Sequence, residues 1–509
     1  MGEKSMPVLV GVGQVTEREF DVDSSSVLDL MEQAAYKAVE DAGISRASLA
    51  GLDSLVIVKS FRESTRNSPE VLANRIGATD ATQWLMPNGG NGPQYLVNRF
   101  SEAIANGESQ FVMFAGAEAM ATARKIVKAT GEQPPWQEVA TCDPSYLVED
   151  VELSTAHEQQ HGLWLAPGFY AMSENARRHQ LGHSVEEHQL GLGELFTRFT
   201  EVAAKSSHAW YPVQRSAAEI ATATVNNRYV AWPYTKYMNA MNQINQSAAL
   251  LLTSVEQARK LGISDDKFIY LHGCSDTKEK SILGRQNYYS SEAMRVMAEQ
   301  VFANNSASGS LGIDDMQHID FYSCFPSAVA MARDTFGMSV DDPRQLTITG
   351  GLPFHGGAGN NYVMNSIAAM VEKVREDRGS YGLVTANGGY FSKHAAGIYS
   401  TNPVEGDWSR TDPASYQKVL DDVPDTPSTE SPNGEATIET YTVLYGRDNQ
   451  PQQGVVIGRL GELGDPKAER FVAMVDDESD VLEKMTQEDM IGSSGLASRG
   501  DKLNKFILK

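Results

Sequence analysis

The chain has 509 residues, too many for one ordinary domain and enough to bury a large core. A hydrophobic fraction of 41% beside 21% charged residues excludes wholesale disorder, and a net charge of -23 argues against nucleic acid or anionic membrane as partner, because both need an excess of Lys and Arg. Three cysteines at wide spacing (Cys142, Cys274, Cys324) supply neither a disulfide framework nor a metal site.

Taken in chain order, the amino terminus MGEKSMPVLVGVGQ lacks the apolar stretch of a secretory signal. No run approaches the roughly 18 to 20 apolar residues that span a bilayer. The expectation is a cytoplasmic protein without a membrane span. Pro7 to Gly13 reads as a strand, Ser26 to Gly43 as a helix closed by a glycine, and Asp53 to Val58 as a second strand. Gly92 to Asn106 reads as a helix and Gln110 to Ala115 as a strand. Short apolar runs alternating with amphipathic stretches predict α/β units around a largely buried sheet. From about residue 121 to 232 polar helical segments dominate, which suits an inserted helical region. Pro403 to Glu435 is polar and rich in proline and reads as a linker. Beyond it, ATIETYTVLYG, GVVIGRL and RFVAMV read as strands of a small β-barrel. The expected division is therefore 1–120, 121–245, 246–402, 403–434 and 435–509.

An internal repeat carries the most information. Gly89 to Asn98 (GGNGPQYLVN) matches Gly356 to Asn365 (GGAGNNYVMN) at one constant offset, and each copy precedes a helix and then a strand. Two homologous halves are the economical explanation. Glycines opening a helix let a ligand approach the backbone, and the free N–H groups there stabilise negative charge. Two such turns aimed at one place suit the oxyanion of a thioester carbonyl. Neither copy is a phosphate loop, since no Gly-Lys-Ser/Thr follows.

The segment from Gly89 through Ala115-Gly116-Ala117-Glu118-Ala119-Met120 resembles the thiolase segment in which a cysteine opens a helix and Ala-Gly-Gly-x-Glu-Ser-Met follows. The stretch MNQINQSAALLLTSVEQARKLGI is similar to the one that opens the second thiolase half. The likeness spans about residues 6 to 402. It is nearest the sterol-carrier-thiolase and type 1 thiolase-like branches, and the tail resembles their additional C-terminal domain. The resemblance implies a duplicated five-layered α/β thiolase fold, an acyl-coenzyme A substrate with no permanently bound cofactor or metal, a place in lipid metabolism, and a homodimer as the expected assembly.

The same register shows what is missing. Gly90 falls where the family has its nucleophilic cysteine, Gly357 where Gly-His-Pro has its histidine, and Ala386 where Cys-x-Gly has its sulfur. Tyr322 falls at the oxyanion-binding position of the Asn-Glu-Ala-Phe motif, with Cys324 two residues on. The candidates for chemistry are Tyr322, His355, His394 and Cys324, and the candidates for coenzyme A contact are Gly90, Asn91, Gly357, Asn387 and Lys393. Three functions stay open. The first is an acyltransferase like acetyl-CoA acetyltransferase; the second is a retro-aldol carbon–carbon lyase using Tyr322; the third is an acyl-CoA-binding protein without chemistry.

Overall fold

The computed structural model describes residues 5–303, 311–475 and 479–509. The first half runs β1 (Pro7–Thr16), α1 (Val27–Ala42), β2 (Ser54–Val58), α2 (Ser68–Ile76), β3 (Thr82–Met86), α3 (Gly92–Ala105) and β4 (Phe111–Ala119). The inserted region holds α4 (Met120–Thr130), α5 (Ala156–Glu158), α6 (Ala166–Leu181), α7 (Val185–Ala203), α8 (Ala217–Ala221) and the short strands β5 (Tyr229–Ala231) and β6 (Tyr234–Thr235). β7 (Asn245–Ser254) then completes the first half. The second half contains α9 (Val255–Lys260), β8 (Ile269–Lys278), α10 (Glu292–Ala303), β9 (Met316–Asp320), α11 (Pro326–Thr335), α12 (Tyr362–Glu376), β10 (Tyr381–Gly388) and β11 (Lys393–Ser400). The tail adds α13 (Pro413–Asp421), β12 (Asn433–Tyr445), β13 (Pro451–Leu460), β14 (Arg470–Val475), α14 (Ser479–Gln487), β15 (Ser494–Ser498) and β16 (Lys505–Leu508).

Local chemistry explains the clearest of these elements. Ser26 caps α1 in a reciprocal box with Asp29, and Gly43 ends it in the left-handed conformation. Every residue of β2 and β4 is buried, as continuous apolar runs require.

Nine strands lie in the order β3-β2-β4-β7-β1-β8-β11-β10-β9. β1 meets β8 only at Val8↔Tyr270 and Leu9↔Ile269, antiparallel, and the order repeats on either side of that junction. β2 and β4 are parallel, as are β9 and β10; β4 pairs antiparallel with β7, as β10 does with β11. The repeat read in the glycine turns is thus a duplicated half-sheet. α3 and α12 pack on each other and against strands of both halves, while α1 covers the outer face of the first half and α10 that of the second. The layers are helix, sheet, paired helices, sheet, helix. Because α3 is enclosed, its polar residues are matched: Gln94 Nε2 donates to Asn98 Oδ1 at 2.8 Å, and Asn98 Nδ2 to Asp276 Oδ1 at 2.9 Å.

In the tail, β12, β13, β14, β16 and β15 close on themselves as a five-stranded barrel, because β12 pairs with both β13 and β15. The barrel sheet is extended from within the chain: Ala231 of β5 pairs with Leu444, the Trp232 N–H donates to the Val443 carbonyl at 2.8 Å, and Trp232 lies in the barrel core stacked on Tyr441. The proline-bearing stretch read as a linker carries α13, whose Tyr416 and Leu420, four residues apart on one face, pack on Ala293 and Val296 of α10.

Candidate functional site

The two glycine-rich turns touch at the entrances of α3 and α12. The Gly89 N–H donates to Asn360 Oδ1 at 2.9 Å, and Asn360 Nδ2 donates to the Lys59 carbonyl at 2.9 Å and to Asn88 Oδ1 at 3.2 Å. Asn361 Nδ2 reaches the Gly116 carbonyl at 2.8 Å. Among the described residues, the N–H groups of Gly90 and Asn91 find no acceptor, so both can serve an oxyanion. Lys393 is buried behind the first turn, and its ammonium donates to the Asn88 carbonyl at 2.8 Å. Burial lowers its pKa. This hydrogen bond ties the ammonium to the turn.

At Gly90 there is no room for a side chain. A Cβ built there would overlap the Tyr322 hydroxyl and stand 2.6 Å from the Asn387 carbonyl oxygen. Gly357 differs: a Cβ there would meet Ala240 Cβ at 3.4 Å and Met241 N at 3.5 Å, close to ordinary contact.

Tyr322 follows β9 and precedes α11. Its backbone N–H donates to Thr385 Oγ1 at 3.0 Å and its ring meets Tyr362 edge-on with centroids 5.9 Å apart. Its hydroxyl makes no hydrogen bond among the described residues. Burial of the ring pushes its pKa well above that of a free phenol, so it carries its proton at neutral pH. Tyr322, Asn387 and His394 line one cavity of about 10 Å³ together with Met294, Met297 and Ala386. That is near the smallest volume that admits one water. Asn387 Nδ2 donates to Tyr170 Oη at 2.7 Å, leaving its Oδ1 without a partner. His394 sits with Nε2 3.1 Å from the Phe391 carbonyl oxygen, and burial lowers its pKa to about 4.

The remaining candidates lie apart from this cavity or are chemically quiet. Cys324 is buried, which pushes its thiol up to about 12; Cys274 is raised in the same way, and Cys142 is exposed. No thiolate at neutral pH results from such burial. His355 lines a different cleft of about 370 Å³ with Gln14, His208 and Glu372. Tyr362 stands between it and Tyr322, with the His355 and Tyr362 rings 5.8 Å apart. Among the described residues neither His355 ring nitrogen has a hydrogen-bond partner, and burial lowers its pKa to about 3.

Sequence reasoning missed three groups. Tyr170, from the inserted helix α6, donates to the Gly389 carbonyl at 2.9 Å, accepts from Asn387, and stacks on Phe325 at 4.4 Å. Ser291 and Glu279 stand behind His394. Each is distant in sequence from the motif it supports, and no local pattern marks it. Glu118 was visible only as part of a motif. It accepts from the Phe61 N–H at 2.7 Å and from Ser60 Oγ at 3.0 Å, and burial raises its pKa to about 7.

A family model described as the thiolase-like protein type 1 additional C-terminal domain matches residues 415–501. The crystal structure of a monomeric SCP2-thiolase-like protein type 1 from Mycobacterium smegmatis is 37% identical, covers 100% of both chains and superposes with a TM-score of 0.85. An Ltp2–ChsH2(DUF35) aldolase structure is 19% identical over 78% of this chain and 98% of its own, with a TM-score of 0.59. Acetyl-CoA acetyltransferase from Syntrophomonas wolfei is 13% identical over 78% and 99%, with a TM-score of 0.54. These last two share the fold. No curated protein matches the sequence. No helix among the described residues is long and apolar enough to cross a membrane, and none of their side-chain clusters could hold a metal ion. With its duplicated thiolase core, its closed barrel and a full-length relative at 37% identity, the chain belongs to the SCP2-thiolase-like protein type 1 family.

Proposed function

We propose that this protein binds a β-hydroxyacyl-coenzyme A and cleaves the bond between its α and β carbons by retro-aldol chemistry, without forming an acyl-enzyme. One observation carries this reading: the unpartnered Tyr322 hydroxyl fills the volume that a side chain at residue 90 would need. Acyl transfer through a thioester intermediate requires a thiolate at that helix entrance, and the nearby Cys324 is held protonated. A retro-aldol step instead needs donors for an enolate and a group that handles the hydroxyl proton. The Gly90 and Asn91 N–H groups answer the first need and Tyr322 the second. Met294 and Met297 form the flexible wall through which the cavity would widen for an acyl chain. An acyl-CoA-binding protein without turnover is the second reading, and the small closed cavity favours it. By likeness to the relative described as monomeric, we expect a monomer in place of a homodimer.

The test is cleavage of β-hydroxyacyl- and β-ketoacyl-coenzyme A by the wild-type protein and Tyr322→Phe, beside a binding measurement with coenzyme A. Removing the hydroxyl should slow cleavage by about 10² to 10⁴ with binding retained. Equal rates would make Tyr322 structural and end the lyase reading. Binding with no turnover of either substrate class would establish the second reading.

A further inference from the structure

A phenol that holds its proton as firmly as Tyr322 cannot open the reaction as a free phenolate. It can take the substrate's hydroxyl proton only if it passes its own onward in the same step. The described residues around its cavity offer one neutral base, His394. Its Nε2 lies 3.1 Å from the Phe391 carbonyl oxygen and 3.4 Å from Ser291 Oγ. The carbonyl can only accept, and Ser291 gives its hydroxyl proton to Glu279 Oε2 at 2.7 Å. Nε2 must therefore carry the hydrogen, and Nδ1 the lone pair. Phe391 holds that carbonyl in place at a cost, for its backbone is left-handed with φ 57°. Its N–H is fixed by Tyr170 Oη at 3.3 Å. Among the described residues Nδ1 has no partner, while the ring lines the cavity beside Tyr322 and Asn387. Of the charged groups that act on the ring, Glu279 favours its protonation and Arg285 opposes it, and both line a separate pocket.

We propose that His394 Nδ1 is the proton acceptor for Tyr322, reached through the one water the cavity admits, and that Phe391, Ser291 and Glu279 hold the imidazole in the tautomer this requires. The inference rests on the lyase reading. The substrate hydroxyl gives its proton to Tyr322 Oη as the Tyr322 proton moves to Nδ1. The carbon–carbon bond breaks, its electron pair forms the thioester enolate, and the other fragment leaves as an aldehyde or ketone. The enolate carbon then recovers the proton along the same path, giving an acyl-coenzyme A. Nothing is oxidised and no co-reactant is consumed.

The experiment has two arms. Nitrogen NMR of histidine-labelled protein at pH 7, with the His394 signal identified by its loss in His394→Gln, should show a neutral ring protonated on Nε2. In Ser291→Ala the Nδ1-protonated form should appear. Cleavage kinetics should give His394→Gln a kcat lower by about 10² or more with KM little changed, and Ser291→Ala a smaller loss, both with wild-type melting temperature. A proton on Nδ1 in the wild-type protein, or wild-type kcat in His394→Gln while Tyr322→Phe is slow, would overturn the relay and leave the lyase reading standing. Equal rates in wild type, His394→Gln and Tyr322→Phe, or no turnover by wild type, would remove both the relay and the lyase reading.

Discussion

The two glycine turns began as copies and have come to differ. Each is roofed by the other half of the molecule: Tyr322 and Asn387 from the second half lie over Gly90, whereas Gln246 and Glu118 from the first half lie over Gly356 and Gly359. At the first turn the roof has descended into the volume of the missing side chain. At the second, Gly357 keeps room for a Cβ. The difference teaches that the two positions where the thiolase resemblance sets a cysteine and a histidine are not equivalent in physical terms. The volume beside Gly90 is filled by the Tyr322 hydroxyl, and that beside Gly357 is open.

The largest expected effect breaks that contrast directly. Gly90→Ala should cost about 1 to 3 kcal/mol, the usual penalty of forcing atoms into a packed site, while Gly357→Ala should stay within about 0.5 kcal/mol. Chemical denaturation of both variants checks this, and equal costs would show that the first turn can relax. The cost at Gly90 should persist in a Tyr322→Phe background, because the Asn387 carbonyl still stands 2.6 Å from the new Cβ.

A smaller effect separates the roofs. Glu118 has a pKa raised by burial to about 7, from an ordinary 4.5. Below 4.5 it is protonated folded and unfolded alike, so its burial costs nothing extra. As pH rises from 4.5 to 7 the unfolded chain ionises first, and stability is lost over that window. Glu63 adds a like charge from the same side. Glu118→Gln should match the wild type near pH 4.5 and be more stable at pH 8, on the order of 1 kcal/mol. Melting temperatures across that range decide it, and a constant offset would mean that the carboxyl is ionised throughout. The smallest effect leaves stability untouched: iodoacetamide at neutral pH should label Cys142 alone in the folded protein, since Cys274 and Cys324 are buried with pKa values of about 12. Mass spectrometry of the native protein would show a single adduct, and modification of Cys324 would return a sulfur to the site.

Much of this was legible in the sequence where the physics is local. Ser26 and Gly43 announce the ends of α1, and the glycine turns with their following helix and strand announce the duplication. Tyr322 was found because a motif holds its register at the end of a strand. Lys393 was legible as a cation near the glycine turns, but its hydrogen bond to the Asn88 carbonyl follows only from the fold. The prolines between residues 403 and 434 announced a break but not α13, whose reason to be helical is the surface of α10. Tyr170 was beyond reach altogether, since its partner Asn387 lies 217 residues away. The tautomer of His394 depends on Ser291, 103 residues distant, and on a strained carbonyl at Phe391.

The seating of Trp232 in the barrel also bears on how the chain is made. Its carbonyl accepts from Thr442 Oγ1 across 210 residues, and its ring stacks on Tyr441. As the chain emerges from the ribosome, the inserted region appears early, with Tyr229 and Trp232 facing a core whose other wall has not been translated. Those aromatics stay uncovered until β12 arrives, in the interval when exposed apolar surface invites chaperones or aggregation. The carboxy-terminal barrel therefore acts as a late-arriving lock on a region synthesised long before it. Chain termination just ahead of β12 would leave that region with half a core, even though every residue of the duplicated sheet had already been made.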